Sequence, residues 1–481
     1  MTLSLEHPSL LRSAHFINGK WLTDGDRTFD VTDPSDGTLV ARVPDGRAVD
    51  ARAAVDAAHA AFVRWREVPA KERAMYLKRW NDLVVRHQND LGRLLAREQG
   101  KPVSEAVGEI AYAASYIEWF AEEATRANGD IIPAGTANRR MLALREPVGI
   151  VATVTPWNFP AAMIARKIAP ALAAGCTVVC KPAEDAPLSA LALVGLAEEA
   201  GIPAGALNIV TASRERTPEV VDVWLDDPRV RKISFTGSTV VGKQLARRSA
   251  DTLKKLSLEL GGNAPFIVFD DADLDLAVQG LMASKFRNGG QTCVCPNRVF
   301  VHATVHDDFV RRVSMRVKEL RVGPARQPDS QIGPMINERA VTKIEAHVAD
   351  ALSRGAQLIT GGHRLSELGP HFYAPTILIG ADATMACACE ETFGPVVSIT
   401  TFATEEEVVA RANDTPYGLA AYFYTSDAKR IWRMTKSLES GIVGVNEGVL
   451  TSEAAPFGGV KESGYGREGS VYGVADYMQV K

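Results

Sequence analysis

Short apolar runs rich in β-branched residues alternate with segments of helical periodicity through the middle of the chain. The run VGIVATVTP at 148–156 is typical of a buried strand, and an apolar helical segment, AAMIARKIAPALAAG, follows it. A second strand, CTVVCKP, and a second helix, LSALALVGLAEEAGIP, come next, and LNIVTA, KISFTGS and KLSLELGG continue the strands at similar intervals. Strands separated by helices of this length predict a parallel, doubly wound sheet. Any α/β protein would show the same alternation, so the pattern predicts a fold class and no function.

The hydrophobic pattern restarts after Gly262 with PFIVFDDADLDLAVQGL, and this second α/β unit is predicted to extend to about residue 450. A helix-rich stretch at 50–100 is expected to pack on the first sheet. The segment ANRRMLALREPVG at 137–149 is polar and alternating, which predicts an exposed strand. Because an exposed edge strand readily pairs with another chain, we expect a contact between subunits here.

The composition is that of a globular protein and excludes several functional classes. A length of 481 residues is enough for two or three packed units, each with a core. Hydrophobic residues make up 46% and charged residues 23%, which excludes a disordered or fibrous chain. The net charge of −4 predicts no binding to nucleic acid or to an anionic membrane. The sequence shows no secretory signal and no run near the ~18 apolar residues of a membrane span.

The cysteines indicate the cellular compartment. They fall into three close pairs, Cys176 and Cys180, Cys293 and Cys295, and Cys387 and Cys389. Structural disulfides would be scattered along a secreted chain of this length, and zinc would require C-x-x-C spacing with histidine nearby. We therefore expect a reduced, cytoplasmic protein with no metal site.

The segment KFRNGGQTCVCPNR at 285–298 contains the strongest candidate for a nucleophile. A helical pattern ends at Gly289-Gly290, and Cys293 follows three residues later. Paired glycines allow positive φ and close backbone approach, which would present the next side chains at a helix exit. A thiol is well suited to attack a carbonyl carbon at neutral pH. The alternative is a cysteine packed as a small hydrophobic residue.

Glu259 and Asn158 are candidates for the polar groups that such a nucleophile needs. Glu259 ends an apolar strand beside Gly-Gly, where burial would raise its pKa toward that of a general base. The alternative is a structural ion pair with a buried lysine or arginine. Asn158 lies between a buried strand and a helix, where its amide could stabilise a developing oxyanion. The alternative is an ordinary helix N-cap.

The turn FTGSTVVGK at 235–243 is the candidate phosphate-binding element, since no G-x-G-x-x-G is present. Gly237 and Ser238 leave a strand and Gly242 opens the next helix, so backbone N–H groups could meet a pyrophosphate. A helix start capped by Ser238 is the alternative interpretation.

Six motifs occur in one order along the chain: PWNFP, KPAE, FTGS followed by a glycine, ELGG, GQTC and EETFGP. In this combination the chain resembles the aldehyde dehydrogenase superfamily over essentially its whole length. The resemblance implies that Cys293 is the nucleophile, Glu259 the general base, and Asn158 the oxyanion donor together with the Cys293 N–H. It also implies aldehyde oxidation through a cysteine thioester, with a nicotinamide cofactor as hydride acceptor. Activation of the thiol is a second candidate role for Glu259.

The resemblance also implies a cofactor site. Lys181 is expected to reach a ribose hydroxyl, and the Glu184 carboxylate to accept from the adenosine ribose and repel a 2′-phosphate. We therefore predict NAD as cofactor, with NADP as the alternative. The predicted cofactor-binding residues are Thr155, Trp157, Lys181, Glu184, Gly237, Ser238, Gly242, Leu260, Glu391 and Phe393.

Two arginines near the predicted catalytic residues bear on the substrate. Arg166 interrupts the apolar helix eight residues after Asn158, and Arg287 stands six residues before Cys293. An arginine in an apolar run is costly unless it is paired, and its guanidinium is well suited to bind a carboxylate. An internal ion pair and a substrate clamp are therefore both open.

The segments KFRNGGQTCVCPNR, GIVGVNEGV and PFGGVKESGYGREGS are most similar to succinate-semialdehyde dehydrogenases within the superfamily. That resemblance implies that the two arginines bind the distal carboxylate of the substrate, helped by a hydroxyl near residue 451. We expect oxidation of succinate semialdehyde to succinate, with glutarate semialdehyde or 2-oxoglutarate semialdehyde as alternative substrates. The predicted substrate-binding residues are Arg166, Arg287, Thr451, Ser452, Phe159 and Phe457.

The resemblance further implies the domain organisation. A doubly wound cofactor-binding domain is expected from residues 1–126 and 147–260, and an α/β catalytic domain from 261–455. Residues 127–146, as a small β arm, and 456–481 are expected to bridge subunits, so a homo-dimer or tetramer is predicted.

Cys295 lies two residues after Cys293, and in an extended segment both side chains would face the same side. Their Cα atoms would be ~6.6 Å apart, near the upper end of disulfide geometry. A reversible redox switch is our hypothesis, and a packed thiol is the alternative.

Two other functional classes are alternatives to an aldehyde dehydrogenase that releases a free acid. An inactive structural relative is disfavoured because Cys293, Glu259 and Asn158 are all present. Relatives that transfer the acyl group to CoA commonly lack the general base, so Glu259 favours hydrolysis by water.

Overall fold

The computed structural model describes residues 4–25 and 27–481. Positions 1–3 and 26 of the predicted domain 1–126 lie outside the described residues. The amino-terminal part contains four short strands and four long helices: β1 (His15–Ile17), β2 (Lys20–Leu22), β3 (Thr28–Thr32), β4 (Leu39–Pro44), α1 (Ala48–Trp65), α2 (Ala70–Arg86), α3 (Gln88–Gln99) and α4 (Val103–Glu123).

The middle of the chain alternates between strands and helices, as the hydrophobic pattern predicts. Its elements are β5 (Asp130–Ile132), β6 (Met141–Ala143), β7 (Arg145–Pro147), β8 (Ile150–Val154), α5 (Pro160–Ala174), β9 (Thr177–Lys181), α6 (Leu188–Glu199), β10 (Leu207–Ile209), α7 (Thr217–Asp226), β11 (Val230–Thr236), α8 (Thr239–Ser249) and β12 (Lys255–Glu259). All residues of β8 and β9 are buried, which accounts for their continuous apolar runs.

The first sheet has the strand order β2-β1-β10-β9-β8-β11-β12, with a short strand from the carboxyl-terminal segment at its far edge. The five strands from β10 to β12 are parallel. The chain adds β9 and β10 on one side of β8, and then β11 and β12 on the other. In doubly wound sheets, ligands bind beyond the carboxyl ends of the strands at such a reversal.

The second half of the chain repeats this construction. Its elements are β13 (Ala264–Val268), α9 (Leu274–Lys285), β14 (Pro296–His302), α10 (His306–Lys318), α11 (Glu338–Ser353), β15 (Gln357–Thr360), β16 (Thr376–Ile379), α12 (Ala386–Cys389), β17 (Val396–Phe402), α13 (Glu405–Asn413), β18 (Ala420–Tyr424), α14 (Ala428–Ser437), β19 (Ile442–Val445), β20 (Gly464–Tyr465), α15 (Ser470–Ala475) and β21 (Met478–Val480). The second sheet has the order β15-β16-β17-β14-β13-β18-β19, and only its β15 edge pairs antiparallel.

The linker at 260–263 determines how the two sheets face each other. β12 ends at the carboxyl edge of the first sheet, and β13 begins at the amino edge of the second. A four-residue linker holds these two edges close together. The segments that leave β8 and β11 therefore approach the turns that precede β13 and β14, and the cleft between them contains the candidate site.

The predicted exposed strand near 137–149 is part of a small β arm. β5 and β6 form an antiparallel hairpin in which Ile131 is 81% exposed and Leu142 is 59% exposed. β7 pairs antiparallel with β21 at the carboxyl-terminal end of the chain. The predicted bridging segment 456–481 also contributes β20, which pairs with β12 at the edge of the first sheet.

Three amino-terminal helices complete the packing of the first sheet. α4 lies along α5, and α2 and α3 pack against α4. Trp80, Phe120 and Leu172 are fully buried in the shared core. The predicted α/β class with two open sheets and a β arm is confirmed. Within the described residues, no helix combines the length and apolarity needed to cross a membrane.

Candidate active site

A cavity of about 570 Å³ occupies the cleft between the two sheet edges. The segment after β8 contributes Trp157 to its wall, and the segment after β11 contributes Gly237. Cys293, from the loop before β14, lines the same cavity. The position agrees with the topological reversal at β8 and β11.

Cys293 is held by an irregular turn at the end of α9. Asn288, Gly289 and Gly290 have φ values of 51°, 62° and 79°, so three successive residues adopt the left-handed region. A Cβ on Gly290 would lie 2.2 Å from the Gly394 carbonyl oxygen, and one on Gly262 would lie 2.2 Å from the Cys293 carbonyl oxygen. These close backbone approaches require glycine and present the half-buried Cys293 to the cavity.

The Cys293 thiol is strongly perturbed by its surroundings. Burial raises the pKa of Cys293 to about 12, and the charges of Glu391 and Glu259 reinforce that rise. The positive charge of Arg166 opposes it. The thiol of the cofactor-free protein is therefore protonated at neutral pH, and its attack on a carbonyl carbon requires removal of that proton.

The Asn158 amide faces the same loop. Its Nδ2 donates to the Gln291 carbonyl oxygen at 3.0 Å, two residues before Cys293, and Asn158 lines the cavity. Because a carbonyl oxygen only accepts, the nitrogen of the amide must face it, and one Nδ2 proton remains for another acceptor. Asn158 does not cap α5, whose N-cap position is Phe159.

Glu259 ends β12 and is 2% exposed. Within residues 4–25 and 27–481, neither of its carboxyl oxygens has a hydrogen-bond partner and no lysine or arginine lies within ion-pair distance. Burial raises the pKa of Glu259 well above its ordinary value, and the nearby Glu468 charge adds to the rise. Glu259 does not line the cavity, unlike Cys293 and Asn158.

Arg166 lies on α5, all of whose residues are buried. Its Nε pairs with the Glu468 carboxylate, which also pairs with Lys167 Nζ. The ion-pair alternative therefore holds for one edge of the guanidinium. The Nη2 of Arg166 is buried without a partner among the described residues, and Arg166 lines the cavity. Burial favours neutral Glu468, but Arg166 and Lys167 outweigh it and keep the pKa of Glu468 below its ordinary value.

The other predicted substrate residues, with one exception, line the same cavity as Arg166. The Phe457 ring lies 4.2 Å from the Arg166 guanidinium, and the Phe159 ring 4.8 Å from the Arg287 guanidinium. Arg287 has no hydrogen bond or ion pair from its side chain to any residue in the described part of the chain. Thr451 lines the cavity, whereas Ser452 does not.

The predicted cofactor residues divide into a lining set and a supporting set. The lining set is Trp157, Glu184, Gly237, Ser238, Leu260, Glu391 and Phe393. Thr155 and Lys181 are buried behind it, and Lys181 Nζ pairs with Glu184 at 3.0 Å. Gly242 lies under Leu260, where a Cβ would come within 2.3 Å of the leucine side chain. Ser238 caps α8 by accepting from Val241 N, so the helix-cap interpretation holds for its side chain.

Glu391 and Phe393 lie in one corner of the cavity. Gly262 N donates to Glu391 Oε1 at 3.1 Å, and burial raises the pKa of Glu391 to about 7. The Phe393 ring stands edge-on to Trp157, with centroids 5.6 Å apart.

Comparison with known proteins identifies the family. The aldehyde dehydrogenase family model matches residues 21–481. This chain belongs to the aldehyde dehydrogenase family. The predicted family is therefore confirmed, and the protein is an oxidoreductase.

Individual members of the family are similar to this chain over nearly its full length. It is 52% identical to the succinate-semialdehyde dehydrogenase [NADP(+)] of Escherichia coli (strain K12), covering 100% of this chain and 99% of that protein. It is 50% identical to a glutarate-semialdehyde dehydrogenase of Pseudomonas putida, with the same coverage. The crystal structure of succinate-semialdehyde dehydrogenase from Burkholderia pseudomallei superposes with a TM-score of 0.97 at 54% identity, covering 99% and 98% of the two chains.

Several functional candidates in this aldehyde dehydrogenase were missed by sequence reasoning. The contact between Arg166 and Glu468 joins positions 302 residues apart, and no local pattern indicates it. Tyr112 lies on α4, whose sequence pattern is typical of a helix that packs in a core. The cavity-lining residues that were missed include Tyr112, Met163, Asp185, Arg214, Thr292, Asn337, Arg339 and Lys343.

Cys295 is buried and does not line the cavity. Its Sγ lies 3.8 Å from the Lys285 carbonyl oxygen, the atom to which its thiol donates. The proposed redox switch with Cys293 stays a prediction.

The raised pKa of Cys293 predicts the pH dependence of its alkylation. Only the thiolate reacts, so in the cofactor-free protein the rate with iodoacetamide should rise about tenfold per pH unit between pH 7 and 9. Mass spectrometry of the Cys293 peptide would measure it, with the exposed Cys389 as an internal reference. A plateau below pH 8 would contradict the direction of the pKa shift.

Proposed function

We propose that this aldehyde dehydrogenase oxidises a carboxylated semialdehyde, foremost succinate semialdehyde, to the corresponding acid. The observation that carries the proposal is the buried Nη2 of Arg166, which has no partner among the described residues. Arg166 lines the same cavity as Cys293. A buried N–H donor requires an acceptor, and a carboxylate is a strong acceptor for a guanidinium. The distal carboxylate of a semialdehyde would supply that acceptor and direct the aldehyde group toward the thiol.

Arg287, which lines the same cavity, supports the same assignment. Its guanidinium stacks on Phe159 and has no carboxylate partner among the residues described, so its charge is available to a ligand. Two arginines with free N–H groups form a site for a planar carboxylate. Glutarate semialdehyde and 2-oxoglutarate semialdehyde carry the same end group and remain the alternative substrates.

The covalent chemistry would begin at Cys293. Its sulfur forms a bond to the aldehyde carbon after losing its proton, and the carbonyl oxygen becomes an oxyanion. The free Nδ2 proton of Asn158 and the Cys293 N–H are the donors for that oxyanion. Oxidation at this carbon leaves an acyl group on the sulfur as a thioester.

Glu259 would serve the hydrolytic step as general base. Burial raises the pKa of this carboxyl group, and a higher pKa makes the carboxylate a stronger base. Because Glu259 does not line the cavity, this role requires a side-chain rotation that carries the carboxylate toward the thioester. Water would then add to the acyl carbon, and the thiol would leave. Activation of the Cys293 thiol is the second role we propose for it.

The cleft also fits a nicotinamide dinucleotide. It opens at the reversal of strand order, with Gly237 and Ser238 at the start of α8, where backbone N–H groups suit a pyrophosphate. The buried Glu391 carboxylate and the Phe393 ring suit a ribose and a nicotinamide. The cofactor, when bound, would supply the hydride acceptor.

Replacement of Arg287 by Gln tests the substrate clamp without breaking an internal ion pair. A hydrogen bond to a charged group contributes about 1.5–3 kcal/mol, so kcat/KM for succinate semialdehyde should fall about 10- to 100-fold. The value for butanal, which lacks the carboxylate, should change less than about threefold on the same argument. Steady-state absorbance at 340 nm measures both.

Arg339→Gln is the matched control, because Arg339 lines the same cavity near the predicted adenosine end. It should leave the ratio between the two aldehydes unchanged. Equal losses on both aldehydes in Arg287→Gln would refute the clamp.

Addition of CoA to the wild-type assay separates acyl transfer from hydrolysis. Hydrolysis gives the free acid at the same rate with or without CoA.

We propose NAD as the preferred cofactor, on the basis of Glu184. Its carboxylate is available to two ribose hydroxyls and would repel a 2′-phosphate, although Lys181 partly compensates its charge. Burial and the neighbouring Glu184 charge raise the pKa of Asp185 to about 6, against the opposing charges of Arg214 and Lys181. Two carboxyl groups therefore lie next to each other at this end of the cavity.

Glu184→Gln removes the charge and keeps the side-chain size. The ratio of kcat/KM for NADP to that for NAD should rise at least about tenfold, since the repulsion of the 2′-phosphate is lost. Asp185→Asn serves as the neighbouring control and should change the ratio much less. A wild-type enzyme that uses NADP better than NAD would refute the role of Glu184.

We propose the domain division predicted from the sequence, with one shared segment. Residues 1–126 and 147–260 contain most strands of the first sheet, and 261–455 contain the second. Residues 127–146 and 456–481 would bridge subunits, although β20 also belongs to the first sheet.

The six free cysteines, which include the proposed nucleophile, support a reducing compartment such as the cytoplasm.

A homo-oligomer formed through the β arm is the remaining part of the proposal. Ile131 and Leu142 are cross-strand partners and are mostly exposed. A two-stranded hairpin with apolar side chains is marginal in water by itself, so a second chain would stabilise it.

The double variant Ile131→Asp, Leu142→Asp should dissociate the assembly, because paired carboxylates cannot be buried between subunits. Light scattering should then report the 51.8 kDa monomer instead of a multiple of that mass. Trp432→Asp, at an exposed apolar position on α14, is the control and should leave the mass unchanged. A wild-type protein that is already monomeric would contradict the proposal.

A further inference from the structure

A buried lysine stands next to the predicted oxyanion donor. Lys101 lies between α3 and α4, and its side chain has no exposed surface. Its Nζ donates to the Asn158 carbonyl oxygen at 2.8 Å and to Glu109 Oε2 at 2.6 Å. The same ammonium lies 3.9 Å from the centre of the Phe159 ring. Lys101 therefore contacts two successive residues at the point where the chain enters α5.

Glu109 extends this set of contacts to the first turn of α5. Its Oε1 accepts from Ala161 N at 2.9 Å and from Ala162 N at 3.2 Å. These are helix N-terminal amides that lack intrahelical partners, and the N-cap residue Phe159 supplies no side-chain acceptor. A carboxylate on α4 therefore caps α5, and it also holds the lysine that anchors Asn158.

A second donor reaches the same carbonyl oxygen from the nucleophile turn. Asn288 Nδ2 donates to the Asn158 carbonyl oxygen at 3.0 Å, and Asn288 N donates to Glu105 Oε2 at 2.8 Å. Gln99 Nε2 donates to Asn288 Oδ1 at 3.1 Å. The corner between α3 and α4 thus contacts both Asn158 and the strained turn that leads to Cys293.

Stability alone does not explain such an arrangement. Taking an ammonium and a carboxylate out of water is costly, and a well-packed apolar pair often serves the stability of a core as well or better. These groups do, however, restrain the position of the main chain. Lys101, Glu109 and Asn288 all form hydrogen bonds with main-chain atoms of residues 158–162. Catalytic donors must be held to within about 0.5 Å of their productive position.

We propose that Lys101 and Glu109 are positioning residues, which set the Asn158 main chain so that its amide and the Cys293 loop keep a fixed separation. The inference rests on the proposed role of Asn158 as oxyanion donor. Neither residue touches the substrate in this account, and both act through Asn158.

A double-mutant cycle between Lys101→Met and Asn158→Ala tests the proposal. Asn158→Ala should lower kcat about 10²- to 10³-fold, as loss of an oxyanion donor does. Lys101→Met should lower kcat about 10- to 100-fold with little change in KM, because a small misplacement of a catalytic group has that effect. In the Asn158→Ala background, Lys101→Met should cost less than about threefold more, since residues that act as one unit are not additive.

Lys254→Met is the matched control. Lys254 is also buried, and its Nζ donates to the Asp227 and Val230 carbonyl oxygens at 2.8 Å and 2.7 Å, at the opposite end of the first sheet. Its effect on kcat should be small and additive with Asn158→Ala. A merely structural Lys101 would behave in the same way, and additivity of Lys101→Met with Asn158→Ala would overturn the proposal.

A second readout separates mispositioning from partial unfolding. With an aldehyde deuterated at the carbonyl carbon, Lys101→Met and Asn158→Ala should shift the isotope effect on kcat in the same direction, whereas a smaller folded fraction would leave it unchanged. If Lys101→Met does not fold, Glu109→Gln carries the test, because it keeps an acceptor for Ala161 N and removes the charge. An unchanged isotope effect in that variant would overturn the positioning role. A normal kcat in Asn158→Ala would instead refute the proposed catalytic site.

Discussion

The close approach of two sheet edges is the constraint on which the rest of the structure depends. β12 ends and β13 begins with only four residues between them, and Gly262 in that linker lies against the Cys293 main chain. This contact leaves no room for a side chain. It brings the loops that leave the first sheet against the turns that enter the second. One cavity therefore receives the proposed nucleophile from the second sheet and the proposed oxyanion donor from the first.

Buried charge organises both sides of that cavity. On one side, Arg166 and Lys167 share the Glu468 carboxylate, and the Nη2 of Arg166 has no partner among the described residues. On the other, Lys101 and Glu109 hold the residues that enter α5. Each carboxylate compensates a cation that would otherwise be expensive to bury. The two clusters flank the same helix: the proposed substrate contact Arg166 lies on α5, and the proposed oxyanion donor Asn158 lies just before it.

Features of this protein that depend on local sequence were predicted, and contacts between distant residues were not. The alternation of apolar strands and helices correctly predicted two α/β units and the exposed β arm, because these depend on periodicity along the chain. Cys293, Asn158 and Arg166 were found from motifs, and all three line one cavity. Glu468 was not found, since its partners lie about three hundred residues away. Lys101, in the connection between α3 and α4, and Glu109, on α4, have no local sequence signal, because only packing brings them to Asn158.

What the sequence determined by itself was the chemistry that was available: a thiol after paired glycines, a carboxyl group at the end of a strand, and an amide before a helix. Those features are local, because backbone conformation and hydrogen-bonding capacity belong to single residues and short segments. Only the tertiary structure decided the pKa values of these groups and the partners of the charged side chains around them. It put Cys293 and Glu259 in surroundings that raise both pKa values. It also paired Arg166 Nε with Glu468 and left Arg166 Nη2 without a partner among the described residues. Desolvation and distant partners produce these effects, and neither has a signature in the order of residues.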